Sequence, residues 1–142
     1  TITRLQNMGT PDYLISAATQ LVVAQRLARK NCKDCKVPDD DVNPKVLQDL
    51  GFSAEQASRV KAIKGKGCAK CSNTGYKGRQ GIYEILVVSK PLKEAILRQA
   101  TTPELREIGI KEGFQTMQDM GRRLIAAGEL NFREYERVLS GE

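Results

Sequence analysis

The 142-residue sequence contains no histidine and no tryptophan, and only 5% of it is aromatic. Without histidine the commonest general base is gone, and with it every Ser–His or Cys–His nucleophile pair. A core built here has to be mainly aliphatic. No run of about 18 apolar residues occurs, as a bilayer span would need, and the start, TITRLQNMGT, lacks signal-peptide architecture. No G-x-x-x-x-G-K-[ST] phosphate loop is present: the one Gly-Lys step is Gly65-Lys66, and Val60 stands where the first glycine belongs. GYKGRQG leads into a β-prone run, not a helix, so it does not read as a phosphate loop either.

What is present starts with charge. The net charge of +6 raises a nucleic-acid or anionic-membrane partner. Basic and acidic residues are interspersed along the whole chain, however, with no block of like charge. Four thiolates on one divalent ion would also bring the total to about +4. Nucleic acid is therefore not the expected partner. Asp39-Asp40-Asp41 reads as a solvated turn.

Four cysteines, Cys32, Cys35, Cys68 and Cys71, fall into two C-x-x-C pairs separated by the 32 residues from Lys36 to Gly67. This is the spacing of a closed four-thiolate site, in which a two-residue spacer lets both sulfurs of a knuckle reach one ion. Gly67 and Gly75 are placed to aim backbone N–H groups at the thiolates, and Lys33, Lys36, Lys66 and Lys70 to offset the excess negative charge. Two disulfides would require an oxidising compartment that nothing in the sequence marks. A redox dithiol normally uses one pair, not two. Iron in a four-sulfur site shares the geometry, and spacing does not separate it from zinc. With all four cysteines committed, no ligand set is left for a hydrolytic metal, so the ion is expected to be structural and no residue is assigned as catalytic.

Local signals give a coarse layout. Thr1 to Gly9 reads as a helix fragment that begins abruptly, as a piece of a longer polypeptide would. Thr10-Pro11-Asp12 marks a second helix start, with Thr10 as cap. The apolar residues of QLVVAQRLARK fit a strand or a helix about equally well, and the valine pair and short run assign it to a strand. Pro44–Leu50 and Ser53–Lys61 read as short helices, the latter with Ser53 and Gln56 at capping-box spacing. Tyr76–Val88 is β-prone. Helices are expected from Lys90, Thr102, Thr116 and Asn131, the last two boxed by Asp119 and Glu134. Phe114, Met117, Met120 and Leu124 are expected on one core-facing stripe, and Phe132, Tyr135, Val138 and Leu139 on another. Arg26 and Arg29 are read as solvent-facing or paired within their domain, with a neighbouring subunit or a phosphate as the other choice. Arg79 and Glu84 are candidates for a cross-strand pair or an intersubunit contact.

AQRLARK immediately before the first cysteine pair, CSNTGYKGRQGIYE after the second, and REYERVLSGE at the end closely resemble the C-terminal part of the secretion and pilus-assembly ATPases. These are the type IV pilus extension motors (PilB-like) and type II secretion motors (GspE-like). CKVPDDDVNPKVL looks more like the pilus branch. The resemblance implies an α+β, mostly helical fold: residues 1–30 as the end of a RecA-like ATPase domain, 31–88 as a tetracysteine zinc-binding subdomain, and 89–142 as a C-terminal helical bundle. It also implies a full-length hexamer, cytoplasmic and peripheral at the bacterial inner membrane. That motor would use ATP and Mg²⁺, contact neighbouring subunits and drive an inner-membrane platform protein. Cys32, Cys35, Cys68 and Cys71 would be its structural Zn²⁺ ligands. The nucleotide-binding motifs would precede Thr1, so this piece is expected to be inactive alone. The alternative is a stand-alone zinc-ribbon-like module for nucleic acid or unfolded protein. CAKCSNTG resembles the repeats of DnaJ-type chaperones, but Asn73 occupies the place of a repeat glycine, and only Tyr76 and Tyr83 are available for base stacking.

Overall fold

A computed structural model describes residues 1–139; the last three residues of the expected helical segment 89–142 lie outside the described residues. Helix and strand are mixed. In chain order the elements are α1 (Ile2–Asn7), α2 (Asp12–Ala18), β1 (Leu21–Asn31), β2 (Lys36–Pro38), α3 (Pro44–Asp49), α4 (Ala54–Arg59), β3 (Ile63–Gly65), β4 (Tyr76–Val87), α5 (Lys90–Leu97), α6 (Thr102–Lys111), α7 (Met117–Ala126) and α8 (Phe132–Leu139). A short 3₁₀ turn, Ala69–Cys71, precedes β4. β1 pairs with β4, and β2 with β3. Among the described residues no helix is long and apolar enough to cross a membrane. By internal contacts the chain divides into two compact units.

One unit comprises Thr1–Ala24 and Glu84–Thr116. Its core is aliphatic, as the scarcity of aromatics requires: Ile2, Ile15, Val88, Leu92, Ala95, Ile96, Ala100 and Leu105 are buried, with Val22 and Leu86 packed against them. The helices start where the sequence offers caps. The Ser89 side chain accepts from the Leu92 N–H and the Thr101 hydroxyl from the Glu104 N–H, each with proline in the first turn, where its missing N–H costs nothing. α1 and α2 are the exceptions, with no side-chain cap bond. At α2 Pro11, not Thr10, occupies the N-cap position, because the Thr10 N–H is drawn back to the Leu5 carbonyl.

The other unit contains Gln25–Tyr83 and the segment from Met117 on. The excursion between the cysteine pairs is closed by the antiparallel β2–β3 ribbon, in register Lys36↔Gly65, Val37↔Lys64 and Pro38↔Ile63. α3 and α4 lie between these strands in sequence. Asn43 caps α3, and Ser53 with Gln56 forms the full reciprocal box on α4. The excursion's interior is small: Leu47, Phe52, Ala57 and Ala62 are buried, whereas Val46, Leu50, Val60 and Ile63 are half-buried.

Two expectations at the C-terminal helices change. Phe114 lies before α7 begins, its N–H bound to the Gly109 carbonyl, so it does not share a stripe with Met117; Met117 is buried, and Met120 and Leu124 are half-buried. At α8, the Asn131 side chain accepts from the Glu134 N–H as a cap should. The Glu134 carboxylate does not complete the box, because it is drawn to arginines instead.

Candidate metal centre

The four cysteines converge although 32 residues separate the pairs. Cys32 follows the last residue of β1, and Cys68 and Cys71 bracket the 3₁₀ turn. The two knuckles are built alike: the Cys35 N–H reaches back to the Cys32 carbonyl at 3.4 Å, and the Cys71 N–H to the Cys68 carbonyl at 3.3 Å. Two backbone bonds lash one knuckle to the other, Cys32 N–H to Gly75 O and Lys66 N–H to Cys35 O, both 2.9 Å. Cys32 and Cys71 are buried, Cys35 and Cys68 half-buried, and all four thiols are free.

The Sγ···Sγ separations are 3.8 Å for Cys32–Cys68, 3.8 Å for Cys35–Cys71 and 3.7 Å for Cys68–Cys71. All four sulfurs lie within 4.8 Å of one another. A tetrahedron with metal–sulfur bonds of about 2.3 Å has edges of about 3.8 Å, so the sulfurs are spaced for a single central ion. Backbone donors are aimed at them: Gly67 N–H to Cys35 Sγ at 3.3 Å, Cys68 N–H to Cys71 Sγ at 3.2 Å, and Gly75 N–H to Cys71 Sγ at 3.3 Å. Such bonds stabilise thiolates and fix the direction in which the sulfurs face a metal. Burial pushes the Cys71 thiol up, but the Cys68 and Gly75 N–H groups more than offset it and bring it down to about 6. At Cys35 burial outweighs the single Gly67 donor and the thiol is raised to about 11. Four clustered cysteines of this geometry fit a metal such as zinc.

Glycine is required at the join. Gly75 has φ +80°, and a Cβ on Gly65 would drive into the Gly75 carbonyl, the acceptor for the Cys32 N–H. The lysines expected to offset the thiolates are partly engaged elsewhere: Lys70 sits 3.6 Å from Asp34, and Lys36 3.6 Å from Glu129. Asp39 lies 4.0 Å from Lys64 and accepts from the Asp41 N–H, a turn arrangement.

Beside the knuckles is a polar cluster that sequence reasoning missed. The fully buried Glu134 carboxylate accepts from the Arg29 backbone N–H at 2.6 Å and from the guanidinium groups of Arg29 at 3.0 Å and Arg137 at 2.5 Å. Burial alone would raise its pKa, but the two arginines hold it down at about 2. The Arg29 guanidinium lies 4.0 Å over the Tyr76 ring, and the Tyr76 hydroxyl accepts from the Asn131 side chain at 2.9 Å. Arg26 donates to the Val138 carbonyl at 2.5 Å. Both arginines are thus paired within their own unit. Glu84 pairs with Arg106 at 3.0 Å and not with Arg79, which lines a concavity with Leu27, Ala28, Arg29 and Arg137. The one available signal for Glu134 was its capping-box spacing from Asn131, which pointed to a different role.

Mixed helix and strand with a four-cysteine cluster, and a helix-bearing excursion between the two knuckles, define a chain with a candidate metal centre. Residues 1–137 match the family described as Type II/IV secretion system protein, and the chain belongs to that family. It is 40% identical over 120 residues to the type IV pilus assembly ATPase PilB of Thermus thermophilus, covering 84% of this chain and 13% of that protein. With the PilB of Myxococcus xanthus it shares 34% over 134 residues, 94% of this chain and 24% of the relative. With the type II secretion system ATPase E of Vibrio cholerae it shares 34% over 136 residues, 85% of this chain and 26% of the relative. The pilus branch is favoured among these, and the chain spans about a quarter or less of the length of the relatives it matches.

Proposed function

We propose that the chain is the C-terminal, zinc-binding part of a hexameric motor ATPase that powers type IV pilus assembly or type II protein secretion. On this reading residues 1–30 end a RecA-like ATPase domain, 31–88 form the zinc subdomain and 89–142 a helical bundle. The full-length protein works on the cytoplasmic face of the bacterial inner membrane. It binds ATP and Mg²⁺ through residues outside this chain and contacts neighbouring subunits and an inner-membrane platform protein.

Cys32, Cys35, Cys68 and Cys71 hold Zn²⁺ with all four positions taken, so the ion stabilises and does no chemistry. The observation that carries this is the set of sulfur separations of 3.7 to 3.8 Å joined to three N–H···S bonds. The excursion supplies the physical need. Leu47 and Phe52 are its large buried side chains, and a structural zinc adds on the order of 10 kcal/mol to such a module. The result is a stiff lobe suited to transmitting force between subunits or to the platform.

Elemental analysis with X-ray absorption on the purified chain tests the reading. One zinc per chain with four sulfurs at about 2.3 Å is expected; folded, metal-free protein would refute it. With ATP and Mg²⁺ the isolated chain should show no turnover above background. A salt-dependent shift of single-stranded nucleic acid would favour a zinc-ribbon module instead.

A further inference from the structure

We propose that the cysteine cluster carries a peroxide-sensitive modification site, in which Cys68 is oxidised first and Cys32 is its disulfide partner. The site rests on the zinc reading above and gives the same four sulfurs a second, reversible state.

With zinc bound all four sulfurs are thiolates, since a coordinating thiol is deprotonated outright, and acidity does not rank them. Two other properties do. The first is the set of N–H groups that draw on each sulfur's charge. Cys71 Sγ accepts from the Cys68 and Gly75 N–H groups, and Cys35 Sγ from that of Gly67. Among the described residues no backbone N–H is aimed at the sulfur of Cys32 or Cys68. The second property is access. Cys32 is 0% and Cys71 6% exposed, whereas Cys35 and Cys68 are half-buried. Oxidation follows thiolate character and exposure, and an electron pair engaged by an N–H is less available to an electrophile. Of the four, only Cys68 joins solvent access to a sulfur without a donor.

The same ranking names the partner. Cys32 Sγ lies 3.8 Å from Cys68 Sγ and Cys71 Sγ 3.7 Å, so distance does not choose between them. Donors do. A disulfide at Cys71 would turn two N–H···thiolate bonds into bonds to a neutral, weakly accepting sulfur; one at Cys32 sacrifices none. Each knuckle thus supplies one sulfur held by N–H groups and one bare sulfur, and the bare ones face each other across the join.

In the first step the Cys68 thiolate attacks one oxygen of hydrogen peroxide. The O–O bond breaks, hydroxide leaves and the sulfur becomes a sulfenic acid. The Cys32 thiolate then attacks the Cys68 sulfur, the S–O bond breaks and a second hydroxide leaves. The two sulfurs give up two electrons, the peroxide takes them, and solvent protonates both hydroxides. Two thiolates are consumed, so zinc loses half its ligands and is released. The new bond links positions 36 apart, as the ion did, and a long closed loop restrains the unfolded chain more than a knuckle-sized one.

The test treats the zinc-loaded chain with one equivalent of hydrogen peroxide, blocks the remaining thiols and digests with trypsin without reduction. Cleavage after Lys30, Lys33, Lys36, Lys66, Lys70 and Lys77 puts each cysteine in its own peptide, 31–33, 34–36, 67–70 and 71–77. Mass spectrometry therefore reads every pairing directly. Peptide 31–33 joined to 67–70 should exceed any other pairing by about ten-fold, a ratio within the reach of one charge-assisted hydrogen bond. Dimedone present during oxidation should tag 67–70 first. One zinc should leave per disulfide, and dithiothreitol with added zinc should reverse both changes. Any other first pairing overturns the proposal, as does a first tag on another peptide or a disulfide that leaves zinc bound. Zinc measured before peroxide is added reports the proposed function separately. A loaded chain with a different first pair sinks the oxidation site alone; a folded, metal-free chain sinks the zinc reading and the site with it.

Discussion

At Glu134 a carboxylate with a fully buried side chain serves two guanidinium groups and one backbone N–H. Its folded value of about 2 lies below the ordinary 4.5, so it contributes stability that is fully present above about pH 4.5. That contribution is lost as pH falls from there toward 2. The shift corresponds to ~3 kcal/mol. Glu134→Gln keeps an acceptor for the Arg29 N–H but removes the charge. It should cost about 2–3 kcal/mol at pH 7, and the gap from the parent should close as pH approaches 2. Denaturant melts of both proteins across that range measure it; a gap that persists unchanged at pH 2 would remove the ion cluster as the cause. A second residue-scale expectation concerns Gly65, where a methyl group would strike the Gly75 carbonyl. Gly65→Ala should lose much of its bound metal and destabilise by about 1–3 kcal/mol, read by zinc content and thermal midpoint. The cysteines were legible because their chemistry is written in local spacing, and the roles of Gly67 and Gly75 as donors followed from it. Glu134 was not, since its partner Arg29 lies 105 positions away and nothing local announces a carboxylate buried between helix and strand.

Elements whose ends carry caps behave as their sequences direct. Ser53 and Gln56 close both halves of the box on α4, a six-residue helix too short to stand on propensity. Ser53→Ala should therefore lower stability by about 1 kcal/mol and speed amide exchange in α4 before any change reaches α5, as mass-spectrometric hydrogen exchange would resolve. Equal exchange throughout would mean that the cap does not govern this helix. QLVVAQRLARK forms β1, as its valine pair and alternating burial favour, although its apolar spacing suits a helix as well. Where assignments slipped, backbone competition decided. Thr10 lost the cap position to Pro11 because its N–H closes the turn after α1. Phe114 dropped out of the α7 stripe because the chain is still turning out of α6 at that point. Pairing of β2 with β3 was invisible beforehand, as three-residue strands carry too little pattern to register.

Across the whole molecule, the buried apolar core of Ile2, Ile15, Leu92, Ile96 and their neighbours contains none of the four cysteines. The contribution of the proposed zinc should accordingly be regional. Around the knuckles, Leu47 and Phe52 are the large side chains buried in the excursion, and each contributes only about 1.5–3 kcal/mol on burial. Loss of a term of order 10 kcal/mol exceeds what they supply. Removing zinc with a strong chelator should release amide protection across β2, β3 and the 3₁₀ turn while α5 and α6 retain theirs. Cys68→Ser should reproduce that pattern without chelator. The backbone donors at Gly67, Cys68 and Gly75 would then face neutral thiols or nothing, so restoring zinc to the parent protein should restore protection and restoring it to the variant should not. Uniform melting of both units on chelation would show that the centre governs the entire fold. No change anywhere would show that the sulfurs, though spaced for an ion, contribute nothing by holding one.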